Sequence, residues 1–157
     1  MLRTLARHKV AYVLIGGLAA SLHGSPHVTT DVDITPDRAR ENLERLAAAL
    51  VELDARIRTE GEPGGLPFDR SAQMLARSSI LNLTTRHGDL DLTFEPAGTA
   101  GYDDLRRSAV EIRIRRTRVV VASLADVIRS KEAAGREKDR LTLPTLRRLL
   151  ERTRRND

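Results

Sequence analysis

The chain has 157 residues, 40% of them hydrophobic and 31% charged, with a formal net charge of +5 and no cysteine. That is enough chain for one domain with a buried core, and the missing cysteine excludes disulfide scaffolds, thiolate metal sites and thiol nucleophiles. No apolar run reaches the ~18 residues of a membrane helix, and Met1 to Lys9 lacks the apolar core of an export signal, so a cytoplasmic location without a membrane partner is expected.

Val10 to Ile15 is a continuous apolar run that predicts a buried strand, ended by a tight turn at Gly16-Gly17. Leu18 to His23 reads as a short helix stopped by Gly24 and Pro26. Thr30 to Thr35 alternates strictly and predicts a half-buried strand. Thr35-Pro36 reads as a helix start, with Leu43, Leu46, Leu50 and Leu53 following at helical spacing. Thr59 to Asp69, rich in Gly and Pro, reads as a surface loop. Ile80 to Thr85 and Leu90 to Phe94 alternate around a hairpin turn at Arg86 to Asp89. Two more short strands are expected at Glu111 to Ile114 and Arg118 to Val121. Ser123 and Asp126 form a capping box that opens a helix, and Pro144 is expected to begin the last one. The pattern is α+β, with a mixed, mostly antiparallel sheet flanked by helices, in a single domain over residues 1–157.

Charge divides the chain. Residues 1–104 hold 11 Lys/Arg against 15 Asp/Glu, whereas residues 105–157 hold 16 against 7. The basic helical part, 123–157, lies in this last third. The asymmetry points to an anionic partner such as nucleotide or RNA, with a solvated basic surface as the plain alternative.

Chemistry concentrates at three places. Gly16 and Gly17 follow a strand and precede a helix, where the backbone can approach a phosphate and free N–H groups can receive it. Asp31 and Asp33 lie two apart on a strand and so share a face, with Val32 and Ile34 turned to the core. Two adjacent carboxylates repel, and a hard cation such as Mg²⁺ relieves that repulsion; a solvated strand face is the alternative. Asp91, between Leu90 and Leu92, faces away from the apolar side together with Asp89 and Thr93. Beside the first pair it would make a carboxylate triad, the donor set of two-metal phosphoryl transfer. Asp89, in the turn, reads better as a turn residue. Farther on, Leu124, Val127, Ile128, Lys131 and Gly135 share a helix face, and a lysine in an apolar stripe needs an anionic partner or must snorkel. His23 and His27 are interrupted by Gly24, Ser25 and Pro26, which disfavours a helical zinc pair; His23 and His87 read as a packed residue and a turn residue.

The order Gly16-Gly17, then Asp31-Val32-Asp33-Ile34, then Leu90-Asp91-Leu92 resembles the nucleotidyltransferase superfamily of DNA polymerase beta. Tyr12 to Ile34 is similar to its small bacterial branch, which holds abortive-infection toxins of type IV toxin–antitoxin systems and antibiotic nucleotidyltransferases. The resemblance spans about residues 8–140 and includes Lys131, Arg136, Lys138 and Asp139. It implies a nucleotidyltransferase that moves a nucleoside monophosphate from an NTP such as ATP to an acceptor hydroxyl. By it, Asp31, Asp33 and Asp91 would be catalytic and would hold two Mg²⁺ ions, with Mn²⁺ as a substitute. Gly16, Gly17, Lys131 and Arg136 would bind the nucleotide. His27 stands where related proteins often carry arginine, and Gly17 where many carry serine.

The implied acceptor is tRNA or another RNA, with a cognate antitoxin or second subunit as partner. The alternatives are an aminoglycoside or lincosamide acceptor, and a non-catalytic nucleotide-binding module. The length is little more than that of the catalytic fold, so the acceptor is expected to be gripped by the last third, by a second subunit or by a separate partner.

Overall fold

The computed structural model describes residues 1–156. In chain order its elements are α1 (Leu2–Arg7), β1 (Tyr12–Ile15), α2 (Gly16–Leu22), β2 (Val32–Pro36), α3 (Arg40–Glu52), β3 (Arg56–Ile57), α4 (Ala72–Arg77), β4 (Ile80–Thr85), β5 (Gly88–Thr93), α5 (Tyr102–Ser108), β6 (Val110–Ile114), β7 (Thr117–Val121), α6 (Leu124–Ala134) and α7 (Glu137–Asn156). The strands form one sheet in the order β3-β4-β5-β2-β1-β7-β6. Only β2–β5 and β1–β7 pair in parallel; the other neighbours are antiparallel. The expected α+β class with a mixed, mostly antiparallel sheet is what the chain adopts.

Alternation along the central strands builds both core and site. Leu14 pairs with Ile34, Ile34 with Leu92, and all three are fully buried. Each such burial contributes about 2 kcal/mol. One residue along, the side chains point to the other face. There Ile15 pairs with Asp33, Asp33 with Asp91, and Asp91 with Asn82. The leucines of α3 complete the core, with Leu43, Leu46 and Leu50 buried and Leu53 closing the helix.

Several boundaries differ from the sequence reading. Thr35-Pro36 does not start a helix; the two residues end β2, paired with Val13 and Tyr12, and α3 begins at Arg40. Sheet pairing outweighed the local capping signal, and proline is tolerated because pairing with β5 stops at Ile34, so its missing N–H leaves no ladder bond unmade. Gly16 and Gly17 are not a turn ahead of a helix but its first residues, with Gly16 at φ +69 making the corner. The hairpin turn narrows to Arg86-His87, with Gly88 already in β5.

At the other end, Pro144 lies inside α7, which starts seven residues earlier at Glu137. Proline lacks only its own N–H, so the lost bond is the one to the carbonyl of Arg140, and packing of Leu143 and Leu146 holds the helix through that gap. Gly135 caps α6 in the left-handed conformation at φ +62, so it ends the apolar stripe instead of sharing it. Ser123 caps α6 as expected, its hydroxyl accepting from the N–H of Asp126. Among the described residues no helix is long and apolar enough to cross a membrane.

Candidate active site

A cleft of about 520 Å³ opens where β1 and β7 end and β2 begins. Asp31, Asp33, Asp91, Gly16, Gly17, Lys131 and Arg136 all line it. Sheet register fixes its floor. Asp33 and Asp91 are direct partners on parallel strands, so their carboxylates leave the same face side by side. Asp31 sits just before β2, and its carboxylate accepts from the Thr30 hydroxyl at 3.1 Å.

Gly16 is packed against this floor. A Cβ at that position would collide with the Asp33 carboxylate, and its φ of +69 is one that side-chain-bearing residues rarely adopt. Gly17 has ordinary backbone angles and abuts the side chain of Thr29, whose Cβ would lie 3.0 Å from an added methyl.

The opposite wall comes from α6 and α7. Asp139 is fully buried there and accepts from Lys131 Nζ at 2.8 Å and from Arg136 Nε at 2.6 Å. Lys131 thus has the anionic partner that its apolar stripe demanded, and two of its three donors stay available. Burial opposes ionisation of Asp139, but the hydrogen bonds from Lys131 and Arg136 outweigh it and hold the carboxyl below its ordinary range.

Electrostatics on the floor run the other way. Burial, then the charges of Asp91 and Asp31, push the Asp33 carboxyl up to about 6, against the weaker pull of Lys138 and Arg136. Burial also raises Asp91, and Arg58 only partly offsets it.

Arg58 escaped the sequence reading. Its N–H donates to the carbonyl of Asn82 at 2.9 Å, which carries the chain one residue past β3 and alongside β4. The guanidinium then reaches across β4. Nη2 donates to Asp91 Oδ1 at 2.7 Å, and Nη1 lies 2.9 Å from Asp89 Oδ2. Asp89 therefore shares the Arg58 guanidinium with Asp91 and lies in β5, not in the turn. Asn82 and Lys138 are two further polar cleft residues outside the expected site. Asn82 was legible as the outward position of an alternating strand; Lys138 was not, because its place depends on how α7 crosses the cleft. His27 lines the cleft, while His23 Nε2 lies 2.8 Å from the Ala122 carbonyl at the end of α2.

The donor set is all carboxylate oxygen, which suits a hard divalent cation. Burial and mutual repulsion on Asp33 are what such a cation relieves, and in chemistry the residues fit it. As they stand, the described residues contain no group of three or more His, Cys, Asp or Glu closed tightly enough to hold a metal ion.

Helices flanking a mixed sheet, with Asp33 on one strand, Asp31 just ahead of that strand and Asp91 directly beside Asp33, decide the architecture. This is the nucleotidyltransferase fold. Solved structures that share it include two nucleotidyltransferases. The lincosamide antibiotic adenylyltransferase LnuA, in its lincomycin-bound form, superimposes with a TM-score of 0.61 at 15% identity, over 94% of this chain and 92% of LnuA. TM1012 of Thermotoga maritima, assigned as a nucleotidyltransferase, superimposes with a TM-score of 0.56 at 17% identity, over 96% of this chain and 88% of its own. No protein-family model matches the sequence, and no curated protein matches it at a significant level.

Proposed function

We propose that the protein is a divalent-metal-dependent nucleotidyltransferase that moves a nucleoside monophosphate from an NTP to an acceptor hydroxyl. The observation that carries this reading is the pairing of Asp33 with Asp91 across a cleft from Lys131 and Arg136.

Asp31 and Asp33 would hold Mg²⁺ or Mn²⁺, with Asp91 completing a second site. When bound, the cations supply Lewis-acid stabilisation of phosphoryl charge and a lower pKa at the attacking hydroxyl. The chain's own residues do the rest. The N–H groups at the start of α2 face the phosphates, and Gly16 lets the backbone come close. Lys131 and Arg136, fixed by Asp139, neutralise charge that grows on the departing pyrophosphate. Asp91 accepts the acceptor's proton. The acceptor oxygen forms a bond to the α-phosphorus as the bond from that phosphorus to the β-phosphate's bridging oxygen breaks.

For the acceptor we favour an RNA hydroxyl, because the last third of the chain is so basic. A second reading, a small hydroxylated molecule, is favoured by the other side of the cleft. Ile80, Asn82, Thr93, Pro96 and Ala97 bring no Lys or Arg to it, and Ile80 is 60% exposed. LnuA, which has a lincosamide acceptor, shares the fold.

The test is label transfer. The protein is incubated with Mg²⁺, each α-labelled NTP in turn, and either total tRNA or a lincosamide and aminoglycoside panel. Label on one acceptor with release of pyrophosphate, lost in Asp33→Asn, supports the reading. Nucleotide binding without pyrophosphate release from any acceptor overturns it in favour of a non-catalytic module.

A further inference from the structure

The hairpin of β6 and β7 carries Arg113, Arg115, Arg116 and Arg118, four arginines within six residues. All four are exposed, and none forms an ion pair among the described residues. The fold gains nothing from them. Arg113 and Arg118 are direct cross-strand partners, an arrangement of like charges that destabilises a hairpin. Arg115 occupies the left-handed region at φ +54 in a two-residue turn that favours Asn or Gly. Blunting an edge strand against aggregation does not explain them, because Arg118 lies on β7, which β6 covers.

Position sets the partner. β7 runs parallel to β1, with Leu14 beside Val121, and Ala122 lines the cleft. The arginine turn is therefore at the opposite end of the strand, with Arg116 about 20 Å of extended chain from Ala122. By strand alternation Arg113 and Arg118 project from the same sheet face as Asp33. Phosphates of one bound nucleotide cannot reach from the cleft to this turn, whereas a polynucleotide can. Arg113 and Arg118 face each other with Cβ atoms about 5 Å apart, and Arg115 and Arg116 follow in the turn, so the four guanidinium groups come within reach of successive phosphates of an extended backbone. Apart from the core-facing strand residues, the tip offers only polar groups, which suits a phosphodiester backbone better than a lipid bilayer.

We propose that the β6–β7 hairpin is a docking surface for the phosphodiester backbone of a nucleic acid, separate from the cleft. It does not depend on the catalytic reading, and its test keeps the two apart. Binding of fluorescent total tRNA and of a duplex DNA is followed by anisotropy between 50 and 200 mM salt. Replacing all four arginines with Gln should weaken binding about tenfold or more, and lower the slope of log K against log salt by about three. Circular dichroism should show the hairpin variant folded and no less stable than the parent, since like-charge repulsion is removed. Arg113→Glu, which places opposite charges across the strands, should also weaken binding while raising stability. Arg77→Gln, at an exposed arginine on α4 outside both the cleft and the hairpin, should bind as the parent does. Unchanged affinity and salt slope in both hairpin variants overturn the proposal. So does binding of the parent to phosphatidylserine vesicles with none to either nucleic acid.

Discussion

Asp33 and Asp91 are register partners on adjacent parallel strands, so two carboxylates meet at one height of the sheet with no residue between them. Burial comes first, and Asp91 second, in raising the Asp33 carboxyl from 3.8 to about 6. Between those values the folded protein holds a proton that the unfolded chain has lost. The contribution of Asp33 to stability is therefore most favourable below pH 3.8 and declines as pH rises through about 6. Urea unfolding of the parent and of Asp33→Asn in EDTA isolates this contribution, because other carboxyls are common to both. The variant's advantage should open by an order of 2 kcal/mol between pH 4 and pH 7.5. An advantage that stays flat across that range would remove the repulsion argument.

The same substitution should abolish transfer. Asp33→Asn keeps the shape of the side chain but removes the charge that a cation requires. A loss of about a thousandfold or more in kcat is expected while the melting temperature rises. Opposite signs in one variant distinguish a functional carboxylate from a structural one, whose loss would lower both.

Arg58 is the counter-ion of the third carboxylate, at 2.7 Å from Asp91. Arg58→Ala leaves Asp91 facing Asp33 without compensation. Because the Arg58 side chain is about a third exposed, at 32%, the stability loss is screened and should be about 1 kcal/mol in the metal-free protein. Added Mg²⁺ should recover it, and the Mg²⁺-induced rise in melting temperature should exceed that of the parent. An equal rise in both proteins would mean that Arg58 does not compensate Asp91.

The sheet was legible because its signal is local. Alternation at Asp31 to Ile34 and at Leu90 to Phe94 marks which side chains face away from the core, and so groups Asp31 with Asp33 on one strand and turns Asp91 outward on another. What alternation does not carry is strand order. That β2 and β5 are neighbours, and in a register that aligns Asp33 with Asp91, depends on packing between residues far apart in sequence. Arg58 was hidden for the same reason, since it reaches Asp91 by crossing a strand that comes later in the chain. Pro144 and Thr35-Pro36 misled because local turn and cap preferences are worth about 1 kcal/mol, less than the packing and pairing that overrode them.

On the cleft's other wall, Asp139 is fully buried between two cations, of which Lys131 is itself only 15% exposed. Asp139→Asn leaves a charged lysine in an apolar stripe, with an expected cost of about 3 kcal/mol. Changing Lys131→Met together with Asp139→Leu should recover much of that stability, because Arg136 can turn to solvent. Nucleotide affinity should fall in both proteins. A double variant that binds nucleotide normally would reduce the pair to a structural ion pair.

Gly16 and Gly17 are adjacent in sequence, yet their tolerance should differ. Gly16 combines φ +69 with a Cβ position already filled by the Asp33 carboxylate, so Gly16→Ala must distort the backbone and displace the carboxylate together. The backbone alone costs about 1–2 kcal/mol, and transfer should fall by about a hundredfold or more because Asp33 no longer lies beside Asp91. Gly17→Ser meets the Thr29 side chain as its nearest neighbour from an ordinary backbone conformation, and should cost less than about 1 kcal/mol with transfer changed by only a few fold. Steady-state kinetics and urea titration of the two single variants decide the matter. Equal damage from both would show that close backbone approach, and not the seat of Asp33, is what the first glycine provides.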